Sequence, residues 1–343
     1  MANLHVESAL HVVFVRSVMA HARIRSIDTE FASSLPGVVA VVTGDQLGSL
    51  TMTPAVRVDS SARRHILPMD RVRFVGEAIV AVVAASVAQA TDAAEAVLVD
   101  YDPLPPVVGV QDALRDETIL FDGVGSNVVA AIPTSPAEID FADCDVVVDH
   151  HIVNQRVAPV PLESRVGAAD WPNDGRLTVW ASCQGAGAVR NVLKDVYGLD
   201  DDEVRVIATD VGGGFGAKAS PSGEELALPG LSRLTNSPVR WAETRSENLV
   251  AMVHGRGQNQ HIRMGGGHDG RVTHYALHVV QDAGAHVDTG AVLPWLTMMM
   301  LTGTYQIDHA QFSSQSVVTN TAPVGAFRGA GRPEAAAAVE RAI

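Results

Sequence analysis

The sequence predicts a mixed fold of the α+β class, and three observations carry that reading. Strand-like and helix-like patterns alternate through roughly the first hundred residues, and long β-branched runs follow from Asp145 onward. Hydrophobic residues make up 47% of the 343 positions, enough to bury a large core in more than one domain.

Taken in order, Val12–Val15 and Val38–Val42 read as strands, the second closed by Thr43-Gly44-Asp45. Ala78–Ala84 is a further apolar strand. Ser86 and Gln89 then have the spacing of a reciprocal helix cap, for a helix running to about Ala96. Val97–Tyr101 returns to strand, and Asp102-Pro103-Leu104-Pro105-Pro106 ends it, because proline supplies no amide donor to a ladder. A first domain is therefore placed at 1–106. Residues 107–138, with Asp122-Gly123-Val124-Gly125-Ser126-Asn127 and Pro133-Thr134-Ser135-Pro136, read as a linker.

A second domain, 139–343, opens with strands at Val146–Val153, Arg165–Trp171 and Arg176–Ser182, the last two joined by Pro172-Asn173-Asp174-Gly175. Gly187–Tyr197 has helical spacing of Val189, Leu193 and Val196, and Gly198 is its natural stop. The strand Val204–Ala208 delivers the chain into Gly212-Gly213-Gly214-Phe215-Gly216-Ala217-Lys218. A helix near Glu224–Leu234, a strand at Val239–Ala242, a hairpin turning at Asp269-Gly270 and a helix from Pro333 to Ile343 complete the order. No cap or glycine follows Ile343, so the chain reads as cut short.

Composition narrows the function. Lys and Arg number 25 against 39 Asp and Glu, a formal charge of -14, which leaves no basic footprint for nucleic acid or an anionic membrane. The apolar runs Ala78–Ala85 and Ala291–Leu301 fall short of the roughly 18 residues of a membrane span. Met1 to Ser8 lacks the charged start of a secretory signal, and two cysteines cannot make a disulfide framework, so a cytoplasmic location is expected.

The glycine loop is the first candidate site, because consecutive glycines let a backbone approach a ligand and can turn amides toward an anion. It is not a Walker loop, since Ala219 follows Lys218. Gly212-x-Gly214-x-x-Ala217 followed by helix, strand and Glu243 imitates the dinucleotide fingerprint, which keeps an NAD-dependent oxidoreductase as an alternative. Arg328, flanked by Phe327 and Gly329-Ala330-Gly331, can offer a guanidinium fork to phosphate or carboxylate, and Gln184 can present an amide between a strand and a helix. The thirteen histidines suggest no metal cluster: His274 and His278 are too far apart along a strand for one ion and read as solvent-face residues. His150 and His151 point to opposite faces of theirs, and Cys183 reads as a buried, inert thiol.

Phe14-Val15-Arg16-Ser17, Phe74-Val75-Gly76-Glu77, Leu162-Glu163-Ser164-Arg165, the glycine loop and Ala326 through Glu334, in that order, together resemble the large molybdopterin-binding subunits of the molybdenum hydroxylases, the family of xanthine dehydrogenase, aldehyde oxidase and carbon monoxide dehydrogenase. Phe14-Val15-Arg16-Ser17, Ala20-His21-Ala22-Arg23-Ile24, Leu35-Pro36-Gly37-Val38 and Phe74-Val75-Gly76-Glu77 through Tyr101-Asp102-Pro103-Leu104-Pro105 are similar to its α/β hammerhead domain. Asn154-Gln155-Arg156-Val157-Ala158-Pro159, Leu162-Glu163-Ser164-Arg165, the glycine loop and Ala326 through Glu334 are similar to the first, incomplete part of its molybdopterin-binding domain.

The resemblance implies a molybdenum–molybdopterin cofactor in the cytosine dinucleotide form, with 2Fe-2S and FAD groups on partner subunits and the C-terminal half of the large subunit as a further partner if it is split. It implies oxidative hydroxylation of an aldehyde or N-heterocycle with water as oxygen source. Gln184, Gly214, Phe215, Gly216 and Arg328 are the implied cofactor residues. No side chain ligates the molybdenum in this family, and its glutamate base lies in a half that this sequence lacks. No catalytic residue is therefore assigned, and Glu224, Glu225 and Glu334 are not promoted to that role. Alone, the chain is expected to be inactive, and a non-catalytic assembly module is a third reading. Where carbon monoxide dehydrogenases carry a copper-holding cysteine this sequence has Gly329, and where xanthine enzymes carry a glutamate and a phenylalanine it has Ala219 and Ala330. These departures point to a small apolar pocket wall and to an aldehyde or neutral heterocycle in preference to carbon monoxide or xanthine.

Overall fold

The computed structural model describes residues 3–48, 50–56, 62–134 and 137–343, in two compact units. The first comprises Met1–Thr53, Arg63–Pro106 and Val160–Met252, and the second Pro54–Ala62, Val107–Pro159 and Val253–Ile343. Ser135 and Pro136 of the expected linker lie outside the described residues.

The first unit is built on a seven-stranded sheet in the order Val204–Ile207, Leu177–Ala181, Val166–Asp170, Val239–Ala242, Leu10–Arg16, Ala78–Ala84, Val38–Val42. Strands from the two ends of the unit's sequence join where Leu10 pairs in parallel with Val239 and Val12 with Trp241. Every residue of Ala78–Ala84 is buried, which explains its unbroken apolar run: both faces of that strand are covered. Phe14 and Trp241 meet edge to face at 5.5 Å in the core beside it. A three-stranded sheet of Arg71–Val72, Ala22–Asp28 and Leu98–Pro103 places Pro103 in an edge strand, where a missing amide costs no ladder bond.

The helix Val87–Glu95 begins at Ser86, whose hydroxyl oxygen accepts from the Gln89 amide. The return half of the expected reciprocal cap differs: the Gln89 side-chain oxygen accepts from the Ser86 hydroxyl at 2.9 Å. The helix Gly223–Thr235 does form a full capping box, between Ser222 and Glu225. Ala186–Tyr197 stops at Gly198, whose left-handed backbone (φ 65°) sends its amide to the Lys194 carbonyl.

The second unit carries a five-stranded sheet in the order Val146–Asn154, Gln258–Gly266, Val272–Gly284, His309–Val318, Val128–Ile132. The helix Arg332–Ala342 buries Ala338, Val339 and Ala342 against Ile262, Met264 and Tyr275 of that sheet. Segment 107–138 is folded into this unit rather than strung across it. It contributes the helix Val110–Leu114 and an edge strand, and Leu120 and Phe121 enter the core. Polar side chains concealed this: buried Asn127 accepts from the Leu120 amide and donates to the Thr118 carbonyl, which stabilises a turn that composition alone presents as loose.

His274 also differs from its sequence reading. It is buried, packed against Phe141 and stacked on His309, because the neighbouring strand and the residues before Val146 cover the face assigned to solvent. His278 is half-buried and pairs with the Ser313 hydroxyl at 2.8 Å. Among the described residues no helix is long and apolar enough to cross a membrane.

Candidate functional site

The candidate residues lie on two loops, one in each unit. Gln184, Gly214, Phe215, Gly216 and Ala219 belong to the first unit, Arg328 and Ala330 to the second.

In the first unit the strand Leu177–Ala181 ends just before Gln184, and the helix Ala186–Tyr197 begins just after it. The Gln184 amide donates to the Lys218 carbonyl, and its side-chain oxygen accepts from the Gly216 amide at 2.6 Å. That bond fixes which end of the side-chain amide faces out: Nε2 is left as an exposed donor with no protein partner among the described residues.

Two of the three consecutive glycines are required by their own neighbours. A Cβ at Gly212 would sit 2.5 Å from the Glu163 Cβ, and one at Gly214 would sit 2.6 Å from the Gln184 side-chain oxygen. Gly213 (φ 102°), Phe215 (φ 55°) and Gly216 (φ 99°) adopt left-handed backbone, so the loop turns sharply at each. The amides of Gly213, Gly214 and Phe215 donate to no protein acceptor among the described residues. Successive unspent amides of this kind form a cradle for an anion or another acceptor-rich group.

Glu163 and Lys218 hold the cradle in place, and sequence reasoning gave neither a role. One Glu163 carboxylate oxygen accepts from the Gly212 amide (2.9 Å), the Ser182 hydroxyl (2.7 Å) and Lys218 Nζ (3.2 Å). Lys218 Nζ also donates to the Glu163 carbonyl and the Ser182 hydroxyl. Burial lowers the Lys218 ammonium pKa, and the Glu163 carboxylate opposes that shift. Beneath them lies a charged network. Arg165 pairs with Glu243 and, at 3.2 Å, with Glu224, while Arg16 reaches Glu224 at 2.7 Å. Burial alone would raise the Glu224 carboxyl, but the guanidinium groups of Arg165, Arg16 and Arg64 outweigh it and hold it well below the usual carboxylate range.

In the second unit the Arg328 loop turns through Gly329 (φ 103°), Ala330 (φ 38°) and Gly331 (φ 82°) before the helix Arg332–Ala342. Arg256 clamps it: Nη1 donates to the Phe327 carbonyl at 2.8 Å and Nη2 to the Arg328 carbonyl at 3.0 Å. The same guanidinium lies 3.3 Å from buried Glu334 and over the Phe327 ring. Gly255 lets the clamp close, since a Cβ there would fall 2.1 Å from the Phe327 Cβ. Arg256 thus takes the structural pairing, and the exposed Arg328 guanidinium has no protein partner among the described residues.

The three glutamates set aside as bases are each committed to a structural partner: Glu224 to two arginines, Glu225 to the Ser222 cap, Glu334 to Arg256. Cys183 is buried, and burial pushes its thiol pKa up, as befits an inert side chain. The dinucleotide fingerprint lacks its key feature. The helix after the glycine loop starts at Gly223, beyond Pro221, so the unspent amides are not a helix N-terminus. Ala219 is exposed beside the loop, and at Gly329 a Cβ would meet the Pro333 ring at 2.6 Å, leaving no room for a cysteine.

Within the first unit, the outward amide of Gln184 and three backbone N–H groups beside it form a donor set suited to an acceptor-rich group, and within the second the Arg328 guanidinium is suited to an anionic one. Known proteins match the chain at the level of its domains. Residues 120–343 match the model of the molybdopterin cofactor-binding domain, and residues 1–105 that of the aldehyde oxidase and xanthine dehydrogenase a/b hammerhead domain. The nicotine 6-hydroxylase large subunit of Paenarthrobacter nicotinovorans is 35% identical over 96% of the chain, and the carbon monoxide dehydrogenase large chain of Afipia carboxidovorans 33% over 96%. The crystal structure of quinoline 2-oxidoreductase from Pseudomonas putida 86 superposes with a TM-score of 0.90 at 31% identity over 99% of the chain. The chain spans 42%, 43% and 46% of the length of these proteins. Matched along its length by two domain models that occur in this order, it belongs to the large-subunit family of the molybdenum hydroxylases.

Proposed function

We propose that this chain forms the N-terminal part of the molybdopterin-binding subunit of an oxidoreductase that hydroxylates an aldehyde or a neutral N-heterocycle, with water as the oxygen source. The observation that carries the reading is Gln184: its side-chain oxygen is locked by Gly216, so its Nε2 donor faces outward beside three unspent amides. Gln184, Gly214, Phe215 and Gly216 would hold one part of the cofactor, and Arg328 would neutralise an anionic part of it. When bound, the molybdenum–pterin group supplies the two-electron redox chemistry. Residues 1–106 are taken as the hammerhead part and 139–343 as the cofactor-binding part, with 107–138 packed into the second unit.

The pterin is proposed in its cytosine dinucleotide form, with a 2Fe-2S and an FAD subunit and the remainder of the large subunit as partners. Support comes from relatives whose names are those of complex subunits, the 6-hydroxypseudooxynicotine dehydrogenase complex subunit gamma among them. A cytoplasmic setting is supported by two free cysteines. The substrate class rests on Ala219 and Ala330 and on Gly329, where a cysteine has no space.

The test is metal and pterin analysis of the protein purified with its partners. Molybdenum and pterin are expected in equal amounts, both falling in Gln184→Ala. Nicotinamide dinucleotide binding without either would overturn the reading. A substrate panel on the loaded complex should give a higher kcat/KM for an aldehyde or simple heterocycle than for xanthine.

A further inference from the structure

The strand Val272–Gly284 brings His274 to a cysteine 130 positions away in sequence, outside both loops described above. Cys144 Sγ lies 3.3 Å from His274 Nδ1, His274 Nε2 lies 3.6 Å from a carboxylate oxygen of Asp143, and that oxygen lies 3.9 Å from Cys144 Sγ. One donor atom from each residue falls within 4.8 Å of the other two. Zinc bonds of about 2.0–2.3 Å to nitrogen, oxygen and sulfur in a tetrahedral site separate neighbouring donors by about 3.3–3.8 Å. An imidazole gives an ion one nitrogen: Nδ1 is paired with the Thr273 hydroxyl at 2.8 Å, which assigns Nε2, on the Asp143 side, to the ion, and Asp143 and Cys144, the two less buried members, make the inward movement.

The surroundings are shaped for this thiol. Gly265 is the residue beneath it, and a Cβ there would come within 2.6 Å of Cys144 Sγ, so any other residue would push the sulfur away from His274. Phe141 and His309 pack against the His274 ring and fix its plane. A thiolate, an imidazole and a carboxylate together select a borderline-soft ion over calcium or magnesium. A second group, Asp149, His151 and His261, is looser: all but His261 are exposed, the two rings stack face to face at 4.2 Å, and Asp149 is already bonded to His261 at 2.8 Å.

We infer that Asp143, Cys144 and His274 form a zinc-type site that clips the segment before the strand Val146–Asn154 onto the strand Val272–Gly284, across the strand Gln258–Gly266 that lies between them. The ion closes a long loop at the sheet's edge and has no part in the redox chemistry proposed above.

The experiment uses the protein purified with its partners, stripped with a chelator and titrated with zinc chloride. The readout is the rate of Cys144 alkylation, followed by peptide mass spectrometry, together with the zinc retained after dialysis. Zinc is expected to slow alkylation of Cys144, and a chelator to restore it. Asp143→Asn keeps the shape of the exposed side chain but removes the anionic ligand, and is expected to shift this protection to higher zinc concentration. Cys144→Ser should abolish retention of the ion, whereas His151→Ala should leave it unchanged. Alkylation insensitive to zinc, protection that survives Asp143→Asn, or retention lost in His151→Ala but kept in Cys144→Ser would each overturn the assignment. Molybdenum and pterin content, measured on the same samples, separates this outcome from failure of the cofactor reading.

Discussion

The two units hold their candidate loops by different chemistry. In the first, support runs through charges: Glu224 and Glu243 fix Arg165, the chain two residues earlier places Glu163, and Glu163 with Lys218 fixes the glycine loop. In the second it runs through amides: Gln258 donates to Gln281, Gln281 donates to the carbonyls of Arg256, Gly257 and Asp282, and Arg256 clamps the Arg328 loop. A buried charge without a partner is far costlier than a buried amide without one, so the first unit, supported by several linked buried charges, is the more easily broken, while the Arg256 clamp of the second rests on one buried pair, with Glu334.

Arg165→Met is the severest test of that difference. It leaves Glu224 with one guanidinium fewer and strips Glu243 of its bonds to the Arg165 side chain, both carboxylates being buried. A loss of about 3–5 kcal/mol is expected in urea unfolding of the complex. A loss below about 1 kcal/mol would mean that the network relaxes into water and does not set the loop.

Gln281→Leu makes the equivalent change in the second unit. Three carbonyls and the Gln258 side-chain amide lose a partner in a fully buried position, for an expected cost of about 1–3 kcal/mol. Hydrogen exchange should localise the weakening to residues 254–258 and 325–331, where Arg256 is seated.

Acid separates the units more gently. Glu224 has a folded pKa below its unfolded value of about 4.3, so the stability that it contributes is fully present above that value. It is lost as the pH falls from there toward the depressed folded value. In the second unit the amides of Gln258 and Gln281 do not titrate, and the Arg256 clamp carries one buried carboxylate, Glu334. Exchange rates measured as the pH is lowered should therefore rise first in 163–165 and 212–218, and an equal rise in 254–258 would show that the Glu224 network does not set the order.

The same contrast explains what could be read from sequence. Strands and helices were legible wherever one period dominated, as in the all-apolar Ala78–Ala84 or the Val189, Leu193, Val196 stripe. Gln184 and Arg328 stand out in the sequence through their flanking residues, and the family resemblance names them again together with Phe215. Glu163, Lys218 and Arg256 were missed as anchors because their partners lie 49 and 55 residues away in the first unit and 71 to 78 in the second, and no local pattern reports such pairings. Segment 107–138 reads as a linker in the sequence because its turns are held by the buried side chain of Asn127, which composition counts as merely polar.

The smallest effect on stability is expected at Arg328, and it is the one that separates anchoring from binding. Its guanidinium is exposed and unpaired among the described residues, while its backbone carbonyl is held from outside by Arg256. Arg328→Ala should therefore change unfolding by no more than about 0.5 kcal/mol, the range of an ordinary surface substitution. It should nevertheless lower the molybdenum and pterin content, because a free guanidinium in a fixed loop is suited to an anionic ligand. Arg328→Lys keeps the charge without the planar fork and should retain an intermediate amount. Arg256→Met must behave differently, since it leaves buried Glu334 without its cation and frees the loop, so stability and cofactor content should fall together. If Arg328→Ala destabilises the protein as much as Arg256→Met does, the side chain is a structural partner and the assignment of the second loop to the cofactor fails.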